Sequence, residues 1–202
     1  MKTRFALLTL LGLLFMGNTQ AQVTDSLPYR HFVGSTLFML ANFAPNPPVY
    51  YQLNYGYRLT PKDVISVEAI TWTYNGPLGR QYGPHFDNPD SNFPGKVQAI
   101  GAGLAYKHFW WKGLYNQVHA TAFRQNYLDE SGVRIQQGFQ LFCTLRMGYQ
   151  INFFHQRLWL EPSVAVTSWP INTNLPESFQ VLEDQFPKFF LFEPGLHFGV
   201  NF

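Results

Sequence analysis

The chain has 202 residues, with 14 Lys and Arg against 12 Asp and Glu, and it is poor in charge (13%) and rich in aromatic residues (18%). Soluble domains carry roughly 25% charged residues, so the composition departs from that class. The small net charge of +2 excludes a nucleic-acid surface built on bulk basicity. A single cysteine, Cys143, excludes an internal disulfide or a CxxC metal site.

Met1 to Ala21 has the layout of an export signal, with Lys2 and Arg4 first, a leucine-rich stretch to Met16, and Thr19-Gln20-Ala21 as a small-residue cleavage site. The apolar stretch is shorter than the roughly 20 residues a membrane helix needs. The expected organisation is therefore a cleaved signal at 1–21, a short segment at 22–28, and one domain at 29–202. Losing Lys2 and Arg4 would leave 12 bases against 12 acids.

Past the signal no apolar run is long enough for a spanning helix, and the apolar residues fall instead on alternate positions, as strands with one apolar face require. In chain order, His31 to Asn42 is the first expected strand, with apolar residues on both parities and its faces left unassigned. Tyr50 to Leu59 and Val64 to Thr73 form a hairpin over Thr60-Pro61-Lys62-Asp63, where proline and aspartate suit a tight turn. Leu53, Tyr55, Tyr57, Ile65 and Val67 take one face there, and Asn54, Gly56, Arg58, Ser66 and Glu68 the other.

Val97 to Trp110 sets Ile100, Ala102, Leu104 and Tyr106 against Gly101, Gly103 and Lys107, and Gly113 to Gln125 sets Val118, Ala120 and Ala122 against Gln117, His119 and Thr121. From Phe139 to Asn152 the polar face holds Gln140, Thr144, Arg146 and Gln150, with Phe142 an exception. Leu158 to Thr167 opposes leucine and valine to Trp159, Glu161, Ser163 and Ala165. The last strand places Phe190, Phe192, Pro194, Leu196, Phe198, Val200 and Phe202 on one parity, against Glu193, Gly195, His197, Gly199 and Asn201.

Eight such segments are joined by connections that alternate in length. Short ones fall near 60–63, 111–113 and 155–157, and long ones near 43–48, 75–96, 126–136 and 170–188. Aromatic residues cluster at the segment ends, with Trp110, Trp111, Tyr115, Phe153, Phe154 and Trp159 at the short turns and Trp72, Tyr74 and Trp169 toward the long loops. They read as interfacial girdles.

The signal, the eight alternating segments, the loop rhythm and the terminal Phe202 resemble the small outer-membrane β-barrel proteins of the OmpA-transmembrane-domain, OmpX and OmpW type. The resemblance implies an all-β fold, an eight-stranded antiparallel up-and-down transmembrane β-barrel behind a cleavable signal peptide, located in the cell outer membrane. It also implies outer-membrane lipid and, through Phe202, the barrel-assembly machinery as partners. Functions in this class include adhesion, passage of small hydrophobic molecules, and enzymes acting on lipids; the resemblance does not choose among them.

On the assigned parity Arg58, Lys107 and Arg146 face inward with Glu68, Glu161 and Glu193. An unpaired charge in so narrow an interior costs several kcal/mol, so mutual neutralisation is expected, and with it a closed polar interior rather than a water-filled pore. Glu161-Pro162 and Glu193-Pro194 repeat one dipeptide in the last two strands, where each proline removes a ladder donor. Setting Trp169 opposite Lys188 and counting down the pair places Pro162 opposite Gly195, beside Pro194. This is a candidate lateral gap for a small hydrophobic ligand, or else a bulge that shapes closure.

His119 and His197 face inward as hydrogen-bonded structural residues. The loop Pro84-His85-Phe86-Asp87-Asn88-Pro89-Asp90-Ser91 gathers His85, Asp87 and Ser91, the weak candidates for a hydrolytic triad in a lipid-modifying enzyme. Its Asp87, Asn88 and Asp90 lack the central glycine and distal glutamate of a calcium loop, so neither a metal nor a cofactor is expected.

Overall fold

The computed structural model describes residues 28–82 and 88–202. The strands are β1 (His31–Thr36), β2 (Tyr51–Arg58), β3 (Asp63–Tyr74), β4 (Lys96–Trp111), β5 (Leu114–Leu128), β6 (Arg134–Tyr149), β7 (Ile151–Phe153), β8 (Leu158–Asn172) and β9 (Phe189–Asn201). Each pairs antiparallel with its neighbour in sequence, except that β6 and β7 both pair with β8, and β9 returns to β1. The result is one antiparallel sheet closed in a ring. The signal stretch at 1–21 and the segment 22–27 lie outside the described residues.

β6 and β7 behave as one strand interrupted at Gln150. Gly148 faces Ser163 and Ile151 faces Leu160, so the register is the same on both sides of the break. Arg157 O accepts from Asn201 N–H, which turns the backbone of Arg157 toward β9. Successive residues alternate, so Pro162 aims its nitrogen at the β6–β7 junction, where it cannot donate. The interruption is that missing donor. A second irregularity in β8 falls between Ser168 and Ile171, where Pro170 sits in the bulge.

The first strand is half as long as the expected His31 to Asn42. β1 ends at Thr36, whose hydroxyl accepts from Phe38 N–H (3.2 Å) and caps a 3₁₀ segment, Leu37–Phe43, with no buried residue. Apolar residues on both parities match this helical turn better than a wall strand. The connection expected at 126–136 is shorter than its composition implied. β5 runs to Leu128 and β6 starts at Arg134, and the turn between them is tied by Asp129, whose carboxylate accepts from Ser131 Oγ (2.6 Å) and Val133 N–H (2.9 Å). The connection after β8 holds a short helix, α1 (Glu177–Glu183).

The face assignments hold along β2 to β8, and Phe142, the apolar exception on the polar face, follows its parity inward into a buried aromatic cluster. One end of β9 does not follow its parity. Ala165 faces Glu193 but Thr167 faces Phe190, so one extra residue is inserted at Leu191–Phe192. That bulge turns Phe190 inward, 5% exposed and 4.9 Å from the Trp169 ring. It also shifts the register below it by one, so Pro162 faces Leu196 and not Gly195, while Ser163 faces Gly195 and Val164 faces Pro194. Pairing of β8 with β9 continues past both prolines.

Candidate functional site

The interior of the ring is filled in layers. At the short-turn end Phe32, Val64, Phe109, Tyr115 and Trp159 form a buried cluster. Tyr115 and Trp159 thus point inward instead of joining a rim, and only Trp110, Trp111, Phe153 and Phe154 of that group lie outside. Small residues make room for the rings: a Cβ on Gly56 would collide with Phe32, and one on Gly199 with Trp159.

At the long-loop end two further clusters meet. Ile70, Leu78, Ala99, Phe123, Phe142, Trp169 and Phe190 pack with Trp72 and Tyr74, and Phe93, Val97, Tyr127 and Phe179 pack above them. Trp72, Tyr74 and Trp169, read as girdle residues, are therefore part of an internal plug. α1 closes it: Phe179 and Trp169 have no exposed surface, and Trp169 Nε1–H donates to Glu183 Oε1 (3.1 Å). A buried amide pair, Gln125 and Gln140 (3.0 Å), links Tyr127 and Tyr74 beneath it.

Glu183 sits in this plug with its carboxyl pushed above the ordinary range, chiefly by burial and against the pull of the Trp169 donor. A raised value means that the docked plug prefers the protonated acid. The corresponding stabilisation is complete below the free carboxyl's pKa and is lost as pH rises through the docked value. Proteolysis near α1 should consequently increase with pH across that window, and Glu183→Gln should remove the dependence; cleavage timed by mass spectrometry at stepped pH checks it.

Between the two plugs lies a cavity of roughly 360 Å³. Its polar belt contains five of the six residues expected to form an interior charge network: Glu68, Lys107, Arg146, Glu161 and Glu193. Lys107 donates to both oxygens of Glu161 (2.6 and 2.8 Å) and lies 4.4 Å over the Tyr115 ring. Arg146 bonds Glu193 (2.5 Å) and Ser163 (3.0 Å), and Thr167 also donates to Glu193 (2.7 Å).

Among the described residues Glu68 has no lysine or arginine partner. It accepts from Gln52 (2.7 Å) and Thr121 (3.0 Å), and His119 Nε2 stands 3.3 Å away. Arg58 lies below the cavity, over the Phe109 ring at 5.5 Å. With the Gln150 amide turned so that its nitrogen donates to Glu161 (3.1 Å), its oxygen accepts from Arg58 (3.2 Å). The pairing is thus two direct ion pairs, one histidine contact and one amide relay. His197 also lines the cavity, and its buried Nδ1 has no partner.

Two wall residues named from the sequence, Pro194 and Gly195, border this cavity, but Pro162 does not. Gly195 is where the Arg146 guanidinium crosses the strand, since a Cβ there would strike Nη1. His85 and Asp87 lie outside the described residues. Ser91 is buried in a 3₁₀ turn at Pro89–Ser91 and does not line the cavity, and Asn88 uses its side-chain oxygen to cap that turn through Asp90 N–H (3.0 Å). Among the described residues no cluster of three His, Cys, Asp or Glu is placed to hold a metal ion. Cys143 is a partly exposed free thiol on the outer face.

Comparison with family models, with curated proteins and with solved structures finds no match.

Proposed function

We propose that the chain is an integral outer-membrane β-barrel with a closed interior and a small-ligand-binding role. One observation carries this reading: polarity is inverted across the wall. The outer face exposes Leu53, Ile65, Val67, Ile100, Leu104, Val118, Leu145, Met147, Val164, Val166, Phe198 and Val200, while lysine, arginine and glutamate pair inside. A solvated surface of that composition is an aggregation hazard, whereas in hydrocarbon it is the expected surface of a closed sheet, whose backbone groups are paired internally. The export-signal layout of Met1 to Ala21, together with the apolar outer face, supports the outer membrane as the location.

The interior favours binding over conduction, since aromatic clusters occupy both ends and each ion pair fills space a channel would need. No catalytic arrangement contributes to the reading.

Extraction only by detergent and faster migration of the unboiled protein on gels are the expected results. Recovery of a folded chain without detergent overturns the proposal. In planar bilayers the purified protein is expected to give little or no current, and steady large single-channel steps would refute the closed interior.

A further inference from the structure

We propose that the chamber binds one amphiphile with a single apolar chain and an uncharged, hydrogen-bonding head, admitted sideways between β9 and the 3₁₀ segment Leu37–Phe43. The inference rests on the outer face being in membrane, and it adds the route and the ligand class.

The route follows from the pairing. β1 accompanies β9 only up to Thr36 opposite His197, and β2 only up to Gly34 opposite Asn54, while β9 continues to Phe189. Above Thr36 the chain leaves the wall as a 3₁₀ turn. Phe202 exchanges backbone hydrogen bonds with His31, so residues of β9 on its parity aim their backbone at this seam. Pro194 is one of them, and its missing donor therefore falls where no strand pairs. Proline at such an edge also discourages addition of another strand.

Pro194 belongs to the outward parity and yet lines the chamber, as does half-exposed Phe38. The chamber therefore reaches the outer face at this seam. Phe38 stands edge-on to Tyr50 (4.8 Å), and Tyr50 in turn bonds Gln52 inside. Aromatic clusters occupy both ends of the ring, and Phe38 and Pro194 mark this seam as a route between the chamber and the outside.

The lining selects the head. Among the described residues Asn54, Ser66 and Gln117 line the chamber with side chains that have no protein hydrogen-bond partner, and His197 Nδ1 adds a buried one. These are amide, hydroxyl and imidazole groups, suited to hydroxyls or amides. An anionic head would meet three lining carboxylates, Glu68, Glu161 and Glu193, against two cations that are already bonded to carboxylates. A cationic head would find Glu161 and Glu193 already in ion pairs, and at Glu68 it would have to compete with the Gln52 and Thr121 donors and with His119 at 3.3 Å. The apolar chain matches the ceiling of Ile70, Trp72, Phe123 and Phe142, or the seam itself. The volume lies in the usual range of about 300–1,000 Å³ for small-molecule sites.

The test places the full mature chain in phosphatidylcholine nanodiscs and reads adducts by native mass spectrometry, with 1-monodecanoylglycerol as the neutral probe and decanoate and decylamine as charged probes of the same chain length. One monodecanoylglycerol per chain is expected, with decanoate and decylamine at least about tenfold weaker at pH 8, because a carboxylate head finds no free cation and an ammonium head would have to displace the donors already on Glu68. Gln117→Trp fills the chamber and should weaken the adduct about tenfold or more; Asn54→Phe serves the same purpose if the first variant does not insert. Phe38→Ala should speed both uptake and release of the adduct several-fold.

Equal binding of either charged probe overturns the head assignment. An undiminished adduct in the filled variant overturns the chamber, and unchanged exchange in Phe38→Ala overturns the sideways route. Absence of any adduct on a properly inserted chain overturns the inference while leaving the membrane reading intact, whereas a chain that folds without detergent overturns both.

Discussion

Lys107→Ala is expected to lower folding stability by about 3–5 kcal/mol, the cost of leaving a buried charge without its partner. Glu161 is 3% exposed and would keep only the Gln150 amide as a donor. The lost packing of the lysine over Tyr115 adds to the effect. The double replacement Lys107→Met with Glu161→Leu should recover most of the loss, because two well-packed apolar groups need no partner in the same space. Urea titration of the inserted protein in lipid, read by gel migration, gives both midpoints. A double variant as weak as the single one would mean that packing, and not charge pairing, sets the stability of this layer.

Trp169→Ala is expected to cost a similar amount, about 3–5 kcal/mol for deleting a large ring from a closed core. The ring has no exposed surface and touches Phe142 (5.4 Å) and Phe190 (4.9 Å). It also donates to Glu183, so its removal takes away the bond that anchors α1 over the long-loop end. Two readouts should therefore move together: the unfolding midpoint falls, and protease reaches the α1 connection faster. A lower midpoint with α1 still protected would show that Phe179, stacked on Phe93 at 4.6 Å, holds the plug without Trp169.

Period-two alternation reported the wall well wherever a strand separates an apolar environment from a polar interior, which is why β2 to β8 took the expected faces. It failed where a residue could be inserted. The bulge at Leu191–Phe192 falls in the run Phe189–Phe192, whose residues are all apolar enough for either side, so nothing in the composition marks the point at which Phe190 turns inward. The aromatic residues misled for a related reason. Trp159, Trp169 and Tyr115 sit at segment ends in the sequence, and a ring at a strand end can face a membrane rim or plug the interior. Only the parity of the strand together with the glycines opposite, such as Gly199 beside Trp159, separates the two.

The polar belt was legible as a set of residues but not as pairs. Lys107 meets Glu161 across 54 positions of sequence, a contact that depends on the stagger of a closed sheet. The repeated Glu-Pro step correctly drew attention to the wall, yet the two prolines face opposite neighbours. Pro162 interrupts β6 from β7, and Pro194 borders the seam left by the shortened β1. The 3₁₀ turn at Leu37–Phe43 is what opens that seam, and its only sequence trace was that apolar residues fall on both parities between His31 and Asn42.

The most direct test of the account is the environment of alternate side chains along β3 to β6. With Cys143 replaced by serine, single cysteines at Leu104, Tyr106, Leu145 and Met147 and at Ser66, Gln117 and Thr144 would carry spin labels in a phospholipid bilayer. The account predicts high accessibility to oxygen and none to a water-soluble nickel relaxant for the first group, with low accessibility to both for the second. Labels at Leu104 and Leu145 that are relaxed by the nickel reagent as strongly as a label on the exposed Asp129–Val133 turn would contradict it.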